Sequence, residues 1–508
     1  MKYVLALDVG TTTVRCHVID QGANTICSVA QKVELLYPKP GYVEIDPDHL
    51  WMLIEDVMRR AVVESNVDPK AIVSMGISTQ RATFTTWSLT TGKYYHRFVT
   101  WKDLRADSLV NEWNNSLTMR GVRIGSNILY TLLRNKRFLA GSVFKFMNTQ
   151  ITLRLVWVLQ NVAGLREAAI KGEAVFGGVD SWIMYKLTGK HITDVSNASA
   201  TGLFDPFEMQ WASWAQTLLK LPPSMFPEVV DTARDFGVTP KNILGEEIPI
   251  TCLMADQAAS LYGSGCFQPG DLKVTMGTGS FINVNTGNGP HASVTGLYPL
   301  VAWRMDNELT YVVEGSSNDT GTFIEWAKYA GVIKNEAETI DLVNSVDDSD
   351  GVYFVPAFSG LQAPINDHCA ATGILGVKPT TKNAHIVRSL LESLVFKVIL
   401  LYESICSETS FSYHKIRVDG GVSKNDFIIQ LLADLTGLEV ERAVSTEMSI
   451  AGVGFIAGLQ TGVWECKEDL IKFRKIDQTF KPNNEVRLGY EPVYSEWKRA
   501  IKRFGKWY

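Results

Sequence analysis

The sequence predicts an α/β chain built from two similar domains. Three observations carry that expectation. A length of 508 residues exceeds one ordinary domain and suits two. A short apolar run that meets a Gly/Thr turn occurs twice, first as Tyr3–Asp8 with Gly10–Thr13, then as Lys273–Met276 with Gly277–Ser280. Around these runs, other apolar stretches of strand length alternate with spacings of helical period.

Taken in order, Tyr3–Leu7 reads as a buried strand ended by Asp8, and Val14–Asp20 as its returning partner in a hairpin. Asp46-Pro47-Asp48 starts a helix, because proline suits the first helical position; Leu50, Leu53, Ile54, Val57 and Met58 continue it on one face. Ala71–Ile77 reads as a strand followed by Ser78-Thr79-Gln80-Arg81. Residues 113–166 hold no Asp or Glu but eight cations: Arg120, Arg123, Arg134, Lys136, Arg137, Lys145, Arg154 and Arg166. They read as a helical insert whose basic face is either solvated or a patch for a partner or a membrane surface. Ile248–Leu253 reads as a strand leading to Asp256, with Pro249 tolerated at its start. The second strand and Gly/Thr turn follow, and the domain boundary is expected near residue 266. Residues 345–351 read as a loop, His385–Ser407 as a long helix, and Ile416–Asp419 as a strand entering Gly420-Gly421. The small-residue run Met448–Leu459 reads as a helix in close backbone contact, and Glu496–Tyr508 as a basic amphipathic docking helix.

Composition excludes several classes. Apolar content of 46% and charged content of 20% are globular values. The 49 Lys and Arg against 54 Asp and Glu give a net charge of −5, which argues against a general binder of nucleic acid or anionic membrane. Val156–Leu165 is broken by Gln160 and Asn161, so no transmembrane segment is expected. Val4–Leu7 meets Asp8 at once, which reads against a signal peptide. Seven cysteines are scattered without a CxxC pair, so a reduced, cytoplasmic location is expected, without a disulfide frame or zinc cluster.

The chemistry-bearing residues cluster at strand ends. Glycine in a turn lets a phosphate approach backbone N–H groups, and threonine hydroxyls add donors. Asp8, Gly10, Thr11 and Thr12 therefore suit a phosphate site, with Asp8 able to hold Mg²⁺; the same string also ends many ordinary strands. Asp256 suits a general base, or equally a helix cap. Arg81 suits a clamp on a hydroxyl or phosphate, or a plain salt bridge. The sequence contains no GxxxxGK[ST], no GxGxxG opening a helix, and no GxSxG elbow.

Together these strings resemble the FGGY carbohydrate kinases. The resemblance spans almost the whole chain. It rests on Leu7-Asp8-Val9-Gly10-Thr11-Thr12, on 41–47, on Gly76-Ile77-Ser78-Thr79-Gln80-Arg81, and on 176–182 and 193–199. It continues through Ala255-Asp256-Gln257, Gly277-Thr278-Gly279-Ser280-Phe281, 356–361 and Arg417-Val418-Asp419-Gly420-Gly421. Within the family the chain is most similar to glycerol kinases and their divergent animal branch. The resemblance implies a two-domain actin-like ATPase architecture, ribonuclease H-like in each half, with a cleft between an N-terminal domain 1–265 and a C-terminal domain 266–508. The basic insert, about 120–147, belongs to the first.

It also implies roles. Asp8 would sit by Mg²⁺. Thr11, Thr12, Thr13, Arg15 and Thr278 would face the ATP phosphates, and Gly321, Gly421 and Asn425 would line the nucleotide site. Arg81, Asp256 and Gln257 would hold the polyol, with Phe281 against its carbons and Asp256 as the catalytic base. The implied reaction is ATP-dependent phosphorylation of glycerol to sn-glycerol 3-phosphate. The alternatives are another sugar or polyol as acceptor and a non-catalytic ATP-binding regulator. A homo-oligomer stays open. Three positions depart from the glycerol kinase pattern: Ala82 where a glutamate follows the clamp arginine, Thr149 where a substrate tyrosine stands, and Glu325 in place of a glutamine.

Overall fold

A strand that is apolar on both faces must be covered on both faces, and the first strand is. In the computed structural model, which describes residues 1–508, β1 (Tyr3–Val9) is buried from Val4 onward. It pairs antiparallel with β2 (Thr13–Ile19), which pairs antiparallel with β3 (Thr25–Lys32). On its other side β1 runs parallel to β4 (Ile72–Thr79), followed by β5 (Ala233–Val238) and β6 (Pro249–Ala255) in the sheet order β5-β6-β4-β1-β2-β3. β5 runs antiparallel to β6.

The second sheet repeats that plan. β7 (Leu272–Met276), β8 (Ser280–Gly287), β9 (Tyr298–Met305), β10 (Glu308–Ser317), β11 (Lys415–Asp419), β12 (Glu439–Ala443) and β13 (Ile476–Phe480) take the order β9-β10-β8-β7-β11-β12-β13. β7 is antiparallel to β8 and parallel to β11, β12 is parallel to β11, and β13 is antiparallel to β12. The two Gly/Thr turns thus join the equivalent strand pairs, β1 to β2 and β7 to β8. The repeated topology is the α/β, actin-like architecture.

Helices cover the sheets. α1 (Pro47–Glu64) is capped by the Asp46 carboxylate, which accepts from the Asp48 and His49 N–H groups. It packs Leu50, Leu53, Ile54, Val57 and Met58 on the first sheet, the face its spacing predicts. The segment expected to be helical contains α2 (Leu117–Leu133) and the helices Lys136–Ser142 and Ile151–Asn161. α3 (Asp256–Gly263) follows β6, α4 (Gly321–Tyr329) follows β10, and α5 (Asn383–Glu408) is the long helix of the second half. α6 (Met448–Gln460) belongs to the second half in sequence, yet it packs on α3 and on β1, β4 and β6. A Cβ on Gly452 would overlap the Ala259 carbonyl, and one on Gly263 the Met448 carbonyl, so only glycine permits this crossing.

α7 (Asn484–Phe504) corrects the expectation for the C-terminus. It starts well before Glu496, stops at Phe504 and contains Pro492. Burial of Tyr494, Trp497, Ala500 and Ile501 outweighs the local cost of the proline. No helix is long and apolar enough to cross a membrane.

Candidate active site

The strand ends that carry the sequence motifs converge where the two sheets face each other. Asp8 ends β1 and is buried, with one carboxylate oxygen lacking any hydrogen-bond partner. Its other oxygen lies 3.9 Å from Arg15 on β2. Burial pushes the Asp8 carboxyl up, against the pull of hydrogen bonds and of Arg15. Arg15 itself donates to Glu447, just before α6, at 2.9 Å, which ties the first hairpin to the second half.

The first turn is braced by residues from β4 and beyond. The Thr11 hydroxyl donates to Gln80 Oε1 at 3.1 Å and accepts the Trp101 indole N–H at 2.9 Å. Gln80 Nε2 donates to the Gly10 carbonyl at 3.0 Å. Thr12 is exposed and Thr13 half-buried, both beside the turn.

Arg81 leaves the end of β4 and reaches two carboxylates. Its Nε lies 3.3 Å from Asp256 Oδ1, and its Nη2 donates to Glu314 Oε1 at 2.9 Å. The guanidinium also stands over the Phe281 ring, 5.6 Å from its centroid. Glu314, on β10, accepts in turn from Asn283 Nδ2 at 2.8 Å. Asp256 is the first residue of α3, with Ala255 as the cap. One Asp256 oxygen accepts from the Gln257 N–H at 2.7 Å. Burial is the largest influence on this carboxyl; Arg81 opposes it, and the nearby negative charges of Asp8 and Glu314 add to it, so the group is pushed up to about 6. Asp8 and Asp256 are therefore close enough to feel each other, and Asp256 changes charge near pH 6, above the usual carboxylate range.

Gln257 turns its amide oxygen to Lys273 Nζ, 3.2 Å away. Lys273 is fully buried, donates to Ser260 Oγ at 2.8 Å and lies 3.8 Å from Asp419. Ser260 and Thr275 hydroxyls both donate to Asp419. This network joins α3 to the ends of β7 and β11 and satisfies a charge that burial alone would strip of its proton.

On the second half, the Thr278 carbonyl accepts from the Thr320 N–H at 2.9 Å, and Gly277 O accepts from Gly321 N at 2.9 Å. Gly321 therefore opens α4 directly against the second turn. Gly421 starts the short turn 421–424, open on its Cβ side. Asn425 caps the next helix through Ile428 N and donates its amide to Thr339 at 3.0 Å. Glu325 lies on α4, exposed and paired with Lys328 at 2.6 Å.

Several site residues have no motif signal. Glu314 and Lys273 are such, and so is Trp101, which stands 6.2 Å from Phe281 across the cleft. Lys102 beside it donates to Thr322 on α4 at 3.2 Å. Tyr298, on β9, donates its hydroxyl to Met147 Sδ at 3.0 Å, near Thr149, Ser316, Arg81 and Glu314; burial pushes it up to about 12. An apolar run containing one buried polar residue is the only trace that sequence could offer of them.

Two sheets that share a central strand plan, the second with one more edge strand, present Gly/Thr turns at a carboxylate-lined cleft and match a known pattern. The sequence matches the N-terminal domain of the FGGY family of carbohydrate kinases over residues 3–263 and its C-terminal domain over residues 272–460. The chain belongs to the FGGY family of carbohydrate kinases. It is 46% identical over 508 residues to glycerol kinase 5 of Bos taurus, covering 100% of this chain and 96% of that one. It is 47% identical over 513 residues to glycerol kinase 5 of Danio rerio, covering 100% and 97%. Among solved structures it resembles Plasmodium falciparum glycerol kinase with ADP, at a TM-score of 0.84 and 28% identity, over 99% and 98% of the two chains. As an FGGY kinase, the chain is a phosphotransferase with an alcohol group as acceptor.

Proposed function

We propose that this FGGY kinase transfers the γ-phosphoryl group of ATP to a terminal hydroxyl of glycerol, giving sn-glycerol 3-phosphate and ADP. The observation that carries the reading is the half-buried Asp256 carboxylate, held 3.3 Å from Arg81 and within electrostatic reach of Asp8. The full-length identity to proteins named glycerol kinase supports the acceptor.

In this reading Arg81 orients the polyol, Phe281 packs on its carbons, and Gln257 lines the same wall. Asp256 takes the proton of the attacking hydroxyl as its oxygen bonds to phosphorus and the bond from phosphorus to the departing ADP oxygen breaks. Thr11, Thr12, Thr13, Arg15 and Thr278 surround the phosphates. Gly321, Gly421 and Asn425 line the nucleotide side, with adenine on the second half. Asp8 fits Mg²⁺: its buried Oδ1 has no hydrogen-bond partner, as suits an ion held by one carboxylate, phosphates and water. Bound there, the ion would neutralise charge on the phosphates. The units 1–265 and 266–508 would close on the substrates and keep water out. A reducing, cytoplasmic setting belongs to this reading, on the seven scattered cysteines of the sequence without a CxxC pair.

Tyr298 supports glycerol despite Thr149. In this reading its hydroxyl, which donates to Met147 Sδ, turns to a substrate hydroxyl beside Arg81. A second reading, another sugar or polyol as acceptor, is favoured by Ala82, whose methyl group leaves room and supplies no carboxylate. The test is ADP release with Mg-ATP over glycerol, dihydroxyacetone, erythritol, ribulose and xylulose. Saturable turnover with glycerol supports the first reading, and turnover only with another acceptor supports the second. Bound ATP without turnover on any of them contradicts both and leaves a regulatory nucleotide-binding protein.

A further inference from the structure

We infer that α2 is a docking surface for an anionic lipid membrane. One face of this helix is largely exposed. Leu117, Ile124, Ile128 and Leu132, spaced to fall on one side, are 82%, 62%, 56% and 72% exposed, and Leu133 at the helix end is 62% exposed. The opposite side, through Met119 and the half-buried Val122, is the one that joins the core. Large apolar side chains this exposed stand out from a convex surface. A groove for a peptide or helix would half-bury its own lining, so the shape suits a soft apolar layer better than a folded partner.

Charge selects the layer. Residues 113–166 contain no Asp or Glu. Within them Arg137 is paired with Asp205 and Glu208, while Arg123 and Arg154 donate to backbone carbonyls. Arg120, Arg134, Lys136 and Lys145 are exposed and have no ion pair. Arg120 borders the apolar stripe on one side, with Thr131, and Arg134 and Lys136 stand past its C-terminal end. Long cationic side chains around a narrow apolar stripe are the arrangement of a helix lying in a lipid interface, with cations at the headgroups. A second copy of the chain meeting this face across a two-fold axis would bring the same cations together, which disfavours self-association here.

None of these exposed side chains hydrogen-bonds or ion-pairs with Asp256, Arg81 or the Gly/Thr turns, so their substitution leaves the chemistry in place. The test is flotation of the full chain with vesicles of phosphatidylcholine alone and with about one-third phosphatidylserine. The expected result is a bound fraction about ten-fold higher on the anionic vesicles, falling several-fold between about 0.1 M and about 0.5 M salt. Ile124→Ser with Leu132→Ser is expected to abolish flotation, and Arg120→Gln with Lys136→Gln to reduce it. Both variants are expected to keep the wild-type melting temperature, because these side chains contact little. Equal or absent flotation on the two vesicles would overturn the inference, as would flotation that survives the apolar substitutions. A monomer–dimer equilibrium lost on Ile124→Ser, without vesicle binding, would assign the face to a second copy and overturn it too.

Discussion

At the scale of single residues, the site is governed by what burial does to charge. Asp256 would be fully ionised at neutral pH in water; burial and two neighbouring carboxylates push it up to about 6, with Arg81 opposing. As the base it must be unprotonated, so protonation removes the active form. kcat/KM for the acceptor is therefore expected to fall about tenfold per pH unit below about 6, measured as initial ADP release. Tyr298 offers a separate handle. Tyr298→Phe removes one hydroxyl and keeps the ring, and is expected to raise KM for the acceptor about 5- to 150-fold with a smaller effect on kcat. An unchanged KM in a variant of normal melting temperature would remove Tyr298 from the acceptor site. The motif residues were legible because each sits at or just past a strand end, in a stretch with its own composition: Asp8, Thr11, Arg81, Asp256, Thr278. Glu314 and Tyr298 were not, because their places depend on register. Asn283 faces Glu314 and Tyr298 faces Glu314 through pairings of β8, β10 and β9 that no local pattern encodes.

At the scale of elements, close backbone contact holds the halves together. α3 and α6 cross where Gly263 and Gly452 leave no room for a side chain. Gly452→Val is expected to destabilise the fold by about 1–3 kcal/mol or more, read as a lower midpoint of denaturant unfolding. The small-residue run predicted this helix and its intimacy, but not its partner: it is read locally as part of the second half, and packing places it on the first sheet. α7 shows the opposite failure. Pro492 and Gly489 interrupt the local helix signal, and the buried Tyr494–Ile501 face, a tertiary property, restores the helix.

At the scale of the whole molecule, the repeated strand and Gly/Thr turn revealed the two-sheet plan, because each copy buries its strand in the same way. What repetition does not reveal is how the halves meet. They meet through Arg15 with Glu447, Arg81 with Glu314, Trp101 with Phe281, and Lys102 with Thr322. Contacts that join the halves over bound substrates also exclude water. Lys102→Ala is expected to raise ATP hydrolysis several-fold relative to phosphoryl transfer, measured as free phosphate against phosphorylated acceptor. An unchanged ratio would show that this contact does not guard the cleft.

The central claim is that Asp256, between Arg81 and Asp8, is the base of a glycerol-phosphorylating site. It is tested most directly by glycerol-dependent ADP release from the wild type and from Asp256→Asn, with nucleotide binding followed in both. The expected result is saturable turnover in the wild type and none in Asp256→Asn, which still binds ATP. Retained turnover in Asp256→Asn would contradict the assignment.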